Sequence, residues 1–165
     1  MFPTERPRRL RVNHKTRRLA RQIFVQPQNL VYPIFVAENI EKPKEISAMP
    51  NQMHWPAEMA YVPVQKAIEK NIYSFLIFGI PNHKDENGTE AYNDDNVVCR
   101  AIKNIKEHCP EAHIITDVCL CAYTSHGHCG LITAEGDVDN DSSIKLIAKS
   151  ALAHVKAGAD MVAPS

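Results

Sequence analysis

His113-Ile114-Ile115-Thr116-Asp117-Val118-Cys119-Leu120-Cys121-Ala122-Tyr123-Thr124-Ser125-His126-Gly127-His128-Cys129-Gly130 is the stretch around which the rest of the chain is organised. Its opening run, apolar and β-branched, predicts a buried strand. From Asp117 onward it holds three of the five cysteines as C-x-C-x7-C, with two histidines and a carboxylate among them. The thiols therefore leave the C-terminal end of a strand and enter a loop containing Gly127 and Gly130. α/β folds place their chemistry at that point. Thiolates are soft ligands that suit zinc, and a loop can bring Cys129 back beside Cys119 and Cys121. Three cysteines without an evident fourth ligand leave a coordination position open, as in a catalytic rather than a structural site. On spacing alone the alternative is three buried thiols packed as small hydrophobes, since C-x-C-x7-C is less diagnostic than paired CxxC.

Working outward, the chain alternates strand and helix patterns. Leu30 to Val36 reads as a first core strand, with Pro33 forfeiting a ladder bond. Residues 37–55 read as a long irregular connection. A helix is predicted from Pro63 to about Lys70, ended by Asn71 in a left-handed turn. Ser74 to Phe78 forms the second strand. Asp94 or Asp95 caps a helix to about His108, with Val97, Val98, Ala101, Ile102 and Ile105 facing inward. Asp141 or Ser142 caps another, whose buried stripe reads as Ile144, Ile147, Ala148, Ala151, Leu152 and Val155, and Gly158 ends it. Asp160 to Ala163 is the fourth strand. Before all of these, residues 1–13 read as extended and Thr16 to Val25 as a short helix. Four strands and three helices, with no Gly-rich nucleotide-binding motif, point to a parallel α/β sheet. A (β/α)8 TIM barrel needs eight strands and ~250 residues. The expectation is the first four βα units of one, residues 23–165, behind an N-terminal arm at 1–22.

At 165 residues, 44% hydrophobic and 23% charged, the chain has an ordinary globular composition. No apolar run approaches the ~20 residues that cross a bilayer. An odd number of cysteines argues against a disulfide framework, so a reducing cytoplasm is expected. Zero net charge hides an asymmetry: residues 1–22 hold eight basic side chains against Glu5, a balance of +7, leaving −7 elsewhere. No aromatic residue interleaves those charges, so nucleic acid is not the expected partner. The acidic body of a neighbouring subunit is.

The segment DVCLCAYTSHGHCG closely resembles the zinc loop of the δ-aminolevulinic acid dehydratases, also called porphobilinogen synthases. The likeness extends through RPRRLR at 6–11, LVYPIFV at 30–36, SAMP at 47–50, FLIFGIPNHKDENGTEA at 75–91 and AGADMVAPS at 157–165. A metal-poor branch carries Ala and Asp at the first two cysteine positions, so Cys119 and Cys121 resemble the zinc-dependent branch. The resemblance implies a TIM barrel about twice this length, condensing two 5-aminolevulinate molecules to porphobilinogen with loss of two waters, in heme and other tetrapyrrole biosynthesis. It implies Cys119, Cys121 and Cys129 as zinc ligands, Asp117 as a catalytic group at a substrate amine or lysine, and Ser165 as a catalytic and substrate contact. Phe78 is implied as an apolar wall of the substrate site, and His128 as a possible ligand of a second metal.

It further implies Schiff-base lysines in the second half of the barrel, so a chain of this extent is expected to be inactive alone. A homo-octamer held by the N-terminal arm is implied, and an allosteric Mg2+ is compatible with the family though no residue here can be named for it. Asn39 and Asn51 stand where the family frequently has Gly, and His54 where Arg is common, which puts the geometry of the 37–55 connection in question. The competing expectation is a non-catalytic zinc-binding or assembly fragment.

Overall fold

The computed structural model describes residues 8–165; the start of the arm, with Pro3, Glu5 and Arg6, lies outside them. Asn13 accepts the Thr16 N–H at 2.9 Å and starts a short helix, α1 (His14–Leu19). It ends six residues earlier than the sequence pattern suggests, and Leu19, Ile23 and Val25 stand exposed. Among the described residues these side chains find no burial that would reward a longer helix.

Next come β1 (Val31–Ala37), β2 (Lys44–Glu45), β3 (Met53–Trp55), α2 (Tyr61–Ile68), β4 (Ser74–Ile80), α3 (Val97–His108), β5 (His113–Val118), β6 (Leu131–Ile132), β7 (Val138–Asp139), α4 (Asn140–Ala157) and β8 (Met161–Pro164). The four expected strands are β1, β4, β5 and β8. They pair in that order and all in parallel, with α2, α3 and α4 as the crossovers. This is one arc of a (β/α)8 barrel. Among the described residues no helix is long and apolar enough to cross a membrane.

The 37–55 connection is not wholly irregular. β3 joins β1 in parallel at Phe35 and Val36, and β2 pairs antiparallel with β3. The β1 side of the four-stranded sheet is therefore partly covered, while β8 forms the other edge. Pro33 lies outside the two-residue pairing with β3, in the part of β1 flanked by β4 alone, where a missing N–H is tolerated. Asn39 and Asn51 have φ of 55° and 65°. They are left-handed positions, where asparagine is the usual substitute for glycine. The departures from the family pattern at these two positions thus preserve the turns.

The two faces of the sheet differ. Ile34, Val36, Phe75, Ile77 and Ile114 point to the helices and are almost wholly buried, packed with Val64, Val98, Ile102 and Ile105, and Val118 is buried on the same face. Each large apolar side chain so buried contributes roughly 1.5–3 kcal/mol. On the other face Pro33, Phe35, Leu76, Phe78, Ile115 and Asp117 are only half-buried. In a closed barrel that face is the interior.

α3 presents the predicted apolar face, all of it buried, but Asn96 caps it in place of Asp94 or Asp95 by accepting the Cys99 N–H at 2.9 Å. α4 is capped by Asp139 instead of Asp141 or Ser142, and ends at Gly158 with φ 110° as expected. Its buried residues are Ser143, Ser150, Ala153 and His154, whereas Ile144, Leu152 and Val155 are more than half exposed. Of the predicted stripe only Ile147 and Ala151 are partly buried, Ile147 against Leu120 and Tyr123, and the rest faces outward. Two of the polar residues turned inward, Ser143 and His154, have partners that the sequence pattern hides. His154 shares a 3.1 Å hydrogen bond with Thr116 on β5, and Ser143 Oγ donates to the Asp139 carbonyl. Burial without a charge partner pushes the His154 ring down to about 4, so it sits neutral against the sheet.

Candidate metal centre

β5 runs two residues further than its apolar core suggests and carries Asp117 into the sheet, in register with Ala163 of β8. Parallel pairing turns neighbouring side chains to the same face, so Asp117 and Phe78 lie on the half-open face at the C-terminal ends of their strands. Phe78 stacks on Phe35 with ring centroids 5.2 Å apart. The Ser165 N–H donates to the Val118 carbonyl at 3.1 Å, which sets Ser165 beside the first cysteine. The structure brings Phe78, Asp117, Cys119 and Ser165 to one rim.

The chain then leaves the sheet. Cys119 is buried, Cys121 half-buried and Cys129 exposed, and none is in a disulfide. Their Sγ atoms lie within 4.8 Å of one another, with Cys119 and Cys121 at 3.2 Å. A tetrahedral zinc with Zn–S ~2.3 Å separates its sulfurs by about 3.8 Å, so no sulfur–sulfur separation in the cluster needs to change by more than about an ångström to receive the ion. The burial gradient leaves the Cys129 side open to solvent. Three soft donors around one accessible position fit a catalytic type of zinc site, and the hydrophobe-packing alternative does not explain an exposed Cys129.

Electrostatics agree. Burial, then the contacts with Cys119 and Cys129, push the Cys121 thiol up to about 12. The hydrogen bond with Cys119 raises Cys129 first, with burial next and the Asp117 charge as a smaller contributor. Crowded thiols do not ionise together unaided; a divalent cation reverses that balance. Burial also lifts the Asp117 carboxyl above its ordinary range. The other two cysteines, Cys99 in α3 and Cys109 at its end, are buried in the core.

Two further segments build the site. At the loop exit a side chain on Gly130 would collide with Ser143 and Val138, and the Leu131 N–H donates to Ser143 Oγ at 2.9 Å. This holds the loop to α4. Across the loop, residues 82–92 fold over it: the Asp85 N–H donates to the Tyr123 carbonyl and the Ser125 N–H to the Asp85 carbonyl, at 3.3 and 2.9 Å. Sequence reading sees only a polar turn here, since nothing in KDENG signals a partner thirty-eight residues away. Tyr123 itself is buried, its hydroxyl against Gly79 of β4, where any side chain would clash with it and with Val98.

His128 does not join the sulfurs. Its N–H donates to His126 Nδ1 at 3.2 Å, the two rings are 5.5 Å apart, and Thr124 Oγ1 donates to the His128 carbonyl. The histidines shape the loop. Lys84 is exposed, and Lys106 is committed to Asp160 at 2.6 Å at the opposite end of the sheet.

The sequence profile of the delta-aminolevulinic acid dehydratases matches residues 4–165. The chain belongs to the delta-aminolevulinic acid dehydratase family. Family members of that name from Ruminiclostridium josui and Archaeoglobus fulgidus are 45% and 46% identical to it, over 98% and 99% of this chain and 78% and 50% of their own lengths. The crystal structure of delta-aminolevulinic acid dehydratase from Toxoplasma gondii ME49, in complex with the reaction product porphobilinogen, superposes with a TM-score of 0.91 at 35% identity. That match covers 100% of this chain and 48% of the Toxoplasma chain. The chain thus spans about half the length of most of the family members compared.

Proposed function

We propose that the whole protein is a zinc-dependent porphobilinogen synthase and that this chain supplies its metal-binding half. The observation that carries the reading is the convergence of three cysteine sulfurs within 4.8 Å at the rim that Asp117 also reaches, one residue before the end of β5. Family membership supports the same reaction, two molecules of 5-aminolevulinate joined into a pyrrole with loss of two waters.

Cys119, Cys121 and Cys129 would hold the ion, which when bound supplies Lewis acidity toward a substrate carbonyl. Asp117, half-buried and with a raised pKa, orients an ammonium or lysine and accepts a proton at its carboxylate. Phe78, backed by Phe35, gives the substrate chain an apolar wall that excludes water. Ser165 offers a hydroxyl and main chain to the substrate at the end of β8. The Schiff-base lysines are expected from the remaining strands of the barrel, because the described lysines face solvent or pair elsewhere. His128 remains a candidate for a second ion, outside the three-sulfur cluster.

The arm belongs to the same proposal. Leu19, Ile23, Phe24 and Val25 are exposed beside a run of arginines, which supports docking on another copy in a homo-oligomer, an octamer by analogy with the family. Five unpaired thiols support a cytoplasmic setting.

A colorimetric pyrrole assay tests the reading. Full-length protein should form porphobilinogen from 5-aminolevulinate, lose activity to a thiol-compatible chelator and regain it with zinc, while residues 1–165 alone should form none. Full activity in metal-free protein would refute the zinc assignment, and no pyrrole from zinc-loaded full-length protein would refute the reaction.

A further inference from the structure

The three cysteines reach one point by different routes. Cys119 and Cys121 follow β5 directly, and Cys119 is almost fully buried. Cys129 comes back after seven intervening residues, on the exposed side of the cluster. Its position depends on how the crossing from Cys121 to His128 is held. Ser143 fixes the exit of the loop. The crossing is fixed by residues 85 and 86: the Tyr123 carbonyl accepts from Asp85 N, Ser125 N donates to the Asp85 carbonyl, and His126 Nε2 lies 3.2 Å from the Glu86 carbonyl.

Those backbone groups are aimed by one side chain. The Asp85 carboxylate accepts the Asn87 N–H at 2.8 Å and the Thr89 N–H at 3.2 Å, and takes a further bond from the Thr89 hydroxyl. This closes an Asx-type turn. Gly88, at φ 60°, lets the turn press on the loop, since a side chain there would meet Thr124 and Tyr123 at 3.3 and 3.4 Å.

We infer that Asp85 is a positioning residue for the metal centre, holding the third cysteine within reach of the other two through the turn it closes on residues 123–126. The inference rests on the metal reading of the cysteines proposed above. It assigns no contact with metal or substrate to Asp85. Its effect is pre-organisation: without the turn, the crossing must be ordered each time a metal binds.

Cobalt(II), read by its thiolate charge-transfer absorption, is the probe. Asp85→Ala should weaken cobalt binding about tenfold, as expected for losing a few net hydrogen bonds. Asp85→Asn keeps an acceptor for both N–H groups and should stay within about twofold of wild type. Diamide oxidation of the metal-free proteins gives a second, geometric readout. The share of disulfide that includes Cys129 should fall in Asp85→Ala and return in Asp85→Asn, a change that general destabilisation does not select. If Asp85→Ala does not fold, Thr89→Val removes only the hydroxyl bond and should give a two- to threefold loss. Equal affinity and equal disulfide partition in wild type and Asp85→Ala would overturn the inference, as would Asp85→Asn being as weak as Asp85→Ala. A wild-type protein that takes up no cobalt would instead overturn the metal reading itself.

Discussion

Cys121→Ala is expected to leave the protein without its metal and without activity. With three thiolates sharing one ion, each carries a large part of the binding free energy, and removing one should weaken zinc by about 10²-fold or more. Cys121 is the informative position. It is half-buried, whereas Cys119 is packed among core side chains and its loss would also open a cavity. In the metal-free state little is lost with the Cys121 thiol: burial and its two thiol neighbours hold it up to about 12, so near neutral pH it is uncharged both folded and unfolded and its ionisation does not enter the stability. The variant should therefore melt no lower than metal-free wild type while failing to retain zinc through dialysis. Elemental analysis and a thermal melt decide it: stoichiometric zinc in folded Cys121→Ala would remove that residue from the ligand set.

Asp117→Asn is the second large effect, and it separates chemistry from metal binding. The swap keeps the shape of the side chain and removes its ionisable group. Turnover in the full-length protein should fall by about 10²–10⁴-fold, with zinc content unchanged. A pH profile adds a signed test. Burial raises the Asp117 pKa, so activity that needs its carboxylate is lost as pH falls through a value above the usual aspartate range. That acid limb should be absent from the residual activity of Asp117→Asn. Wild-type turnover in the variant, or lost zinc, would contradict the role given to Asp117.

The parallel sheet was readable because β1, β4, β5 and β8 are dense in apolar residues and separated by helix-period patterns. The cysteine cluster was readable from one loop, since its spacing survives whatever surrounds it. What escaped has identifiable causes. β2 and β3 are two and three residues long, too short for periodicity to register, and exist because β1 offers them an edge. The caps of α3 and α4 were misplaced where several capping residues stand in a row, as in Asn93-Asp94-Asp95-Asn96.

α4 has an apolar stripe and a polar one, and only tertiary partners reveal that Ser143 and His154 face inward. The strip of Ile144, Leu152 and Val155 lies exposed on the same helix. Asp85 escaped for a related reason: its turn is local, but the segment it clamps is distant in sequence.

The central claim is a single metal held by three sulfurs, and zinc K-edge X-ray absorption on the purified, zinc-loaded protein tests it most directly. The account predicts three sulfur scatterers at ~2.3 Å and one lighter atom. A first shell made only of nitrogen and oxygen would contradict it.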